Sequence, residues 1–245
     1  MDETKLLISK IEDLSRICTK RFYPEFSKFL DMSQQVAVKN IKAPGCVYYA
    51  FGGYADAERK VIGCFPEEYE YDQGLFPICI LLIEPSDPEG LTHRDFLGSL
   101  IGLGIKRECI GDIILQEGKA YAVCLEDIRD FVMYNLKRIG NRSVKVTEAD
   151  SAAIPEKTFK RITGTVASSR LDCVLSLVVG TSRSKAEELV RSGRVMVNYL
   201  QEGSVSAKLK PNDTVSVRGF GKFIYLGDKG ETRKGRLKIE IDLYS

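Results

Sequence analysis

The stretch Ser168-Ser169-Arg170-Leu171-Asp172, continued by Thr181-Ser182-Arg183-Ser184-Lys185-Ala186 and Ser192-Gly193-Arg194-Val195-Met196-Val197-Asn198, decides how this chain is read. After its first piece, Leu171, Leu175 and Val178 or Val179 recur at helical spacing, and Gly180 stops the pattern. Ala186, Leu189 and Val190 then form a second apolar face that ends at Gly193. Ser169-x-x-Asp172 reads as a capping box for the first helix, and Ser182 or Ser184 as the cap of the second. Val195 and Val197, Val215 and Val217, Lys222 to Leu226 and Leu237 to Ile241 follow as short strands. Two short helices on a small sheet can bury an apolar seam and leave Arg170, Arg183, Lys185, Arg191 and Arg194 outside. Charge alone gives that basic face an equal claim to be ordinary solvated surface.

The charge distribution favours a polyanion partner for this end of the chain. From Arg161 to Ser245 there are 15 Lys and Arg against 9 Asp and Glu, whereas the residues before Arg161 carry 21 against 25. A hydrophobic fraction of 44% and a charged fraction of 29% are those of a soluble globular protein, and 245 residues suffice for two or three modest domains. No apolar run reaches the length of a membrane span, and the acidic start is neither a secretory signal nor a transit peptide, so the expected location is cytoplasmic. Seven dispersed cysteines with no C-x-x-C pair read as reduced, buried thiols. With a single histidine, no zinc site is expected, nor any other metal or cofactor.

Upstream, Leu7, Ile11, Leu14 and Cys18 mark an amphipathic helix, followed by an apolar cluster of Phe22, Phe26, Phe29 and Leu30. Strands are expected from Cys46 to Phe51 and from Lys60 to Phe65. A buried strand from Ile78 to Glu84 leads to Thr92-His93-Arg94-Asp95, a capping box for a helix burying Phe96, Leu97, Leu100 and Ile101. Strands from Cys109 to Gln116 and from Lys119 to Leu125 flank Gly118. A second helix then points Ile128, Phe131, Val132, Leu136 and Ile139 inward and ends before Gly140, and a strand from Ser143 to Thr147 follows. The order strand-helix-strand-strand-helix-strand is the ferredoxin-like βαββαβ arrangement. The sequence therefore predicts an α+β protein. An N-terminal α/β segment covers 1–75, a ferredoxin-like domain 76–148, a linker 149–163, and the helix pair on its small β-sheet 164–245.

The R-L-D at Arg170–Asp172, the S-R-S-x-A at Ser182–Ala186 and the G-R-V-x-V-N at Gly193–Asn198 resemble the S-four (αL-type) RNA-binding domain, in order and at its usual spacing. The resemblance implies binding of structured RNA through Arg170, Ser182, Arg183, Ser184, Lys185, Arg191 and Arg194. Arginine forks engage phosphate oxygens bidentately, and amides at a helix start add partial positive charge. Phe51-Gly52-Gly53-Tyr54-Ala55-Asp56-Ala57-Glu58-Arg59-Lys60, then His93 to Glu108 and Ile110-Gly111-Asp112-Ile113, resemble the YlmH family of ribosome-associated proteins. That resemblance implies a non-enzymatic factor that binds rRNA and tRNA on the large ribosomal subunit in rescue or quality control of stalled translation. A link to cell division is also implied. Arg59, Lys60, Arg94, Lys106 and Arg107 are candidates for a second RNA surface. Arg233, Lys234 and Arg236 form a candidate phosphate-contacting hairpin, with an exposed turn as its alternative.

Two other readings stay open. S-four domains also accompany pseudouridine synthases and RNA methyltransferases, but there the domain typically precedes the catalytic one, and this chain offers neither the synthase aspartate motif nor a glycine-rich cofactor loop upstream. His93-Arg94-Asp95 mimics a kinase catalytic loop without the accompanying D-F-G or glycine-rich loop, and Gly102-x-Gly104 lacks a third glycine. His93 has no evident partner for general-base work. A division-linked scaffold is the third class, and the basic face at Arg183, Lys185 and Arg191 separates it from an RNA binder. The expectation is a protein without catalytic residues and without a small-molecule substrate.

Overall fold

In the computed structural model, which describes residues 3–41 and 43–244, the chain divides into two compact units, Met1–Glu156 and Lys157–Ser245. In the first unit, α1 (Glu3–Arg21) buries Ile11, Ser15 and Cys18 on one face, with β1 (Glu25–Leu30) and α2 (Met32–Val38) next in the chain. Asp31 caps α2 by accepting from Gln34 N–H at 2.9 Å, and Gln34 Oε1 in turn accepts from Asp31 N–H at 2.8 Å. With β2 (Cys46–Phe51) and β3 (Lys60–Pro66), β1 forms an antiparallel sheet in the order β1-β3-β2.

The second sheet of this unit comes from β4 (Ile78–Pro85), β5 (Ile110–Gln116), β6 (Lys119–Leu125), β7 (Arg138–Ile139) and β8 (Arg142–Ala149). Its order is β5-β6-β4-β8-β7, every pair antiparallel. Helices α3 (His93–Gly102) and α4 (Arg129–Asn135) lie in the connections after β4 and β6. The Asp95 carboxylate accepts from the N–H and the hydroxyl of Thr92, at 2.8 and 2.7 Å, and so fixes the start of α3.

Three expectations need correction here. Residues 1–75 and 76–148 do not stand apart, because Phe29, Val61 and Phe65 share one buried cluster with Phe76, Ile80, Leu81 and Phe96. The second helix stops at Asn135 rather than Ile139: Leu136 leaves helical geometry, and Arg138 and Ile139 pair with Ser143 and Arg142 across a turn in which Gly140 has φ +58°. Gly140 is thus a hairpin turn, not a helix cap. Phe131 and Ile101, both expected inward, are 46% and 40% exposed, because the cores beneath α4 and α3 are filled by Val132, Leu136, Phe96 and Leu100.

Close approach explains one glycine in the first unit. A Cβ on Gly52 would sit 2.3 Å from Ala57 Cβ and 2.5 Å from the Arg59 carbonyl oxygen. Backbone cannot yield as a side-chain tip can, so Gly52→Ala is expected to destabilise this unit by about 1–3 kcal/mol, read as a lower urea midpoint. An unchanged midpoint would mean that the 52–59 loop is not held in this way.

The second unit is one antiparallel sheet with a helix pair on one side. Its strands are β9 (Phe159–Val166), β10 (Val195–Val197), β11 (Leu200–Gln201), β12 (Asp213–Val217), β13 (Gly221–Glu231) and β14 (Leu237–Tyr244), in the order β11-β10-β12-β13-β14-β9. Helices α5 (Leu171–Val179) and α6 (Arg183–Arg191) cover Val195, Val215, Val217, Phe223, Tyr225, Ile239 and Ile241 with Leu171, Val174, Leu175, Ala186 and Val190. Strand β9 corrects the linker placed at 149–163. Ile162 and Val166 pack on the core, and the whole strand pairs with β14 from Tyr244↔Phe159 to Leu237↔Val166. β8 likewise runs to Ala149.

Candidate nucleic-acid interface

The helix pair is organised by an acid. Asp172 is fully buried. Its Oδ1 accepts from Arg170 Nε at 3.1 Å and from Cys173 N–H at 3.0 Å. Its Oδ2 accepts from Arg170 Nη2 at 3.0 Å and from Arg183 Nε at 2.7 Å. One carboxylate thus gathers a bidentate arginine from the start of α5 and a second arginine from the start of α6. Burial by itself would raise the Asp172 carboxyl. The bonds from Arg170 and Arg183 outweigh it and hold the group below the usual carboxylate range. Both guanidinium groups keep part of their surface in water, with side chains 34% and 51% exposed.

This corrects the capping box expected at Ser169 and Asp172. Arg170 occupies the cap position of α5 without a side-chain cap. The Leu171 and Asp172 amides instead donate to the carbonyls of Ala207 and Val205, at 2.8 and 3.2 Å. The loop before β12 therefore does the capping, and Asp172 is left to hold arginines. For α6 the cap is Ser182, whose hydroxyl accepts from Lys185 N–H at 3.3 Å.

The other predicted residues fall around this centre. Ser184 and Lys185 are exposed on the first turn of α6, and Arg191 is 71% exposed on its last. Arg191 lies 3.8 Å from Glu187 and Lys185 3.9 Å from Glu188, surface pairs of the weak kind. Arg194 is exposed just past α6, its Nε donating to Ser192 Oγ at 3.0 Å. Asn198 has a structural role: its side-chain nitrogen donates to Asp213 and its side-chain oxygen accepts from Thr214 N–H, tying the end of β10 to the start of β12. Residues 232–236 join β13 to β14. Arg233 and Lys234 are exposed there, whereas Arg236 donates to the Thr165 carbonyl at 2.7 Å and, with Arg183, Cys173, Ser176 and Leu177, lines a groove of about 570 Å³.

The upstream candidates separate into two kinds. Arg59 and Arg107 are half-buried and hold backbone carbonyls. Arg59 donates to the carbonyls of Ile110 and Phe29 at 3.0 and 3.2 Å, and Arg107 to those of Ile110 and Gly111. Burial beside Arg59 pushes Arg107 down to about 10. The loop before Arg59 is held by Asp112, which accepts from Tyr54 hydroxyl, Glu58 N–H and Arg59 N–H. Lys60 is half-buried in β3, while Arg94 and Lys106 are exposed. His93 is exposed at the first position of α3. All seven cysteines are buried and free, and no helix among the described residues is long and apolar enough to cross a membrane.

In the sequence Asp172 reads as a cap and as part of the R-L-D motif, and its hold on two arginines is not legible there. The available signal was an acid in the first turn of the otherwise apolar run Leu-Asp-Cys-Val-Leu.

Comparison with known proteins agrees with this division. Residues 66–153 match the family described as "Putative RNA-binding domain in YlmH", and residues 169–215 match the "S4 domain". The chain is 30% identical over 244 residues to the "Ribosome-associated protein quality control protein P2" of Bacillus subtilis (strain 168), covering 98% of this chain and 95% of that protein. The solved structure titled "Cell division protein ylmH from Streptococcus pneumoniae" superposes with a TM-score of 0.57 at 19% identity, over 63% of this chain and 96% of that one, which is a likeness of fold. Near full-length identity at this level, together with the two matched domains in order, establishes that the chain belongs to the YlmH family, with its S-four domain following the YlmH-type domain.

Proposed function

We propose that this protein is a non-catalytic RNA-binding factor that grips structured rRNA and tRNA on the large ribosomal subunit, in rescue or quality control of stalled translation in the cytoplasm. The observation that carries the reading is the buried Asp172 holding Arg170 and Arg183 at the starts of two packed helices. Such fixed guanidinium groups meet phosphates with little further loss of side-chain freedom. Ser182, Ser184, Lys185, Arg191 and Arg194 extend the same surface, and Arg236 adds a cation across the groove from Arg183. Contacts of this type read RNA shape rather than sequence. The YlmH-type domain supplies a second surface through the exposed Arg94 and Lys106, with the half-buried Lys60 just upstream of it.

The relative from Bacillus subtilis, named for ribosome-associated quality control, supports the ribosome as the source of that RNA. The test is crosslinking of the full chain to intact ribosomes, with both the RNA and the peptide mapped. Crosslinks from α5 and α6 to large-subunit rRNA or bound tRNA are expected; crosslinks to the small subunit alone would overturn the placement. Mass analysis of RNA incubated with the protein is expected to show no new modification, and a modified base would establish the enzymatic alternative.

A further inference from the structure

In the first unit a groove of about 840 Å³ runs along α1, with β1 and residues 106–108 on its other side. Leu6, Lys10, Asp13 and Ile17 follow one another on α1 at intervals of three and four residues, with Leu7 and Leu14 beside them, so one face of the helix lines it. That face is largely aliphatic yet open to water. Leu6 and Ile17 are 45% and 39% exposed, and Leu7 and Leu14 are half-buried.

Two arginines stand on the opposite side. Arg59 and Arg107 both donate to the Ile110 carbonyl, so their guanidinium groups sit side by side, and both line the groove. Their further bonds go to the Phe29 and Gly111 carbonyls. All these acceptors are neutral. Among the described residues neither arginine has a carboxylate within ion-pair distance, and Asp31 and Asp112 act on them only from further away. Both carboxylates serve other groups: Asp31 caps α2, and Asp112 accepts from the Tyr54 hydroxyl and two amides. Burial and the charge of Arg59 both oppose the charge of Arg107. Arginines withdrawn from water are ordinarily paired with acids. Arg107 donates through Nη1, and its Nε–Nη2 edge, the side that takes a carboxylate with two parallel bonds, has no protein partner among the described residues.

The charges along the groove agree. Its five cations are Lys10, Lys28, Lys106 and the two arginines. Of its four acids, Glu3 is exposed in the first turn of α1 and three are engaged: Asp13 with Arg16, Asp31 with the α2 cap and Ser33, and Glu108 with Lys28 at 2.9 Å. We propose that this groove binds a short acidic, aliphatic peptide segment of a protein partner, its aliphatic side chains against Leu6, Leu14 and Ile17 and a carboxylate on the free edge of Arg107. The wall favours peptide over RNA. Bases stack on open aromatic faces, whereas the apolar side chains exposed along this groove are aliphatic. Its two aromatic residues face the core, Phe29 fully buried and Phe26 packed against Phe65 and Phe76. Leu6 to Ile17 spans about 16 Å, room for about five extended residues or three helical turns. The helix pair of the second unit takes no part, so this reading goes beyond the RNA-binding role and can fail independently of it.

The experiment pans a phage-displayed library of random twelve-residue peptides against the full-length chain and measures the selected peptides, fluorescein-labelled, by anisotropy. Selected sequences are expected to combine Leu, Ile or Val with Asp or Glu, and their binding to weaken with salt. Arg107→Gln and the double variant Leu6→Ser/Ile17→Ser are each expected to weaken binding by about tenfold, and Lys10→Gln by about threefold. Leu6, Ile17 and Lys10 are exposed, so their variants decide the matter if Arg107→Gln does not fold. Lys106 is left intact because it is a candidate RNA contact. The groove variants are expected to keep the parent's affinity for ribosomal RNA. Absence of enriched peptides, or enriched peptides that bind the folded groove variants as tightly as the parent, would overturn the proposal. Displacement of a bound peptide by a ten-nucleotide oligouridine, or loss of ribosomal RNA affinity in Leu6→Ser/Ile17→Ser, would overturn it too, by assigning the groove to RNA. Substitutions confined to Lys185, Arg191 and Arg194 test the helix pair alone, so the two failures are distinguishable.

Discussion

The triple variant Lys185→Gln/Arg191→Gln/Arg194→Gln is expected to lose about two orders of magnitude in affinity for ribosomal RNA at physiological salt while melting as the parent does. Three phosphate contacts at about 1 kcal/mol each account for that loss. The same argument fixes the salt response, since each neutralised phosphate releases condensed counterions and steepens the dependence of log K on log salt. Removing three contacts should make the slope shallower by about 2–3. Stability should change little, because these cations touch only Glu187, Glu188 and Ser192 at the surface. The choice of residues matters. A charge reversal at Arg183 would set a carboxylate against the buried Asp172 and confuse lost binding with lost folding. Ribosome co-sedimentation over a salt series measures both quantities. A variant with parental affinity and slope would remove α6 from the RNA interface.

Much of this site was legible in the sequence because its cues are local. Ser182 caps α6, Gly180 closes α5, and Ala186, Leu189 and Val190 face inward, each within one turn of the residues that predict it. What escaped depends on contacts distant in sequence. Arg183 and Asp172 are 11 residues apart, and their bond exists only once α5 and α6 pack. The carbonyls that cap α5 come from Val205 and Ala207, in a stretch with no periodicity to announce it. Residues 159–163 of β9 read as linker because Ile162 is their one inward position, a thin apolar signal among Lys, Arg and Thr. Arg59 and Arg107 show the same dependence on distant contacts, since their bonds to the Ile110 carbonyl form only in the folded unit and leave both side chains half-buried.

Replacing Asp172 by asparagine should show which property of the site matters most. The amide keeps the volume but not the charge, and it leaves Arg170 and Arg183 with a neutral acceptor and an opposing N–H₂ group. Breaking a fully buried pair costs about 3–5 kcal/mol. Here both arginines retain contact with water, so a loss of about 2 kcal/mol is expected. The pH dependence supplies an independent check. The folded-state carboxyl lies below its ordinary value of 3.8, so its stabilisation is complete well above that pH and disappears as pH falls through the lower folded value. The stability gap between parent and Asp172→Asn should therefore be constant near neutrality and close as the solution becomes more acidic than 3.8. RNA binding should weaken by about tenfold at neutral pH, because Arg183 must then be ordered by the ligand instead of by the protein. Urea titrations across the acid range, paired with RNA binding at pH 7, measure all three. A gap that persists at low pH would mean that Asp172 acts by packing alone, and parental RNA affinity would show that the two arginines need no internal anchor to engage phosphate.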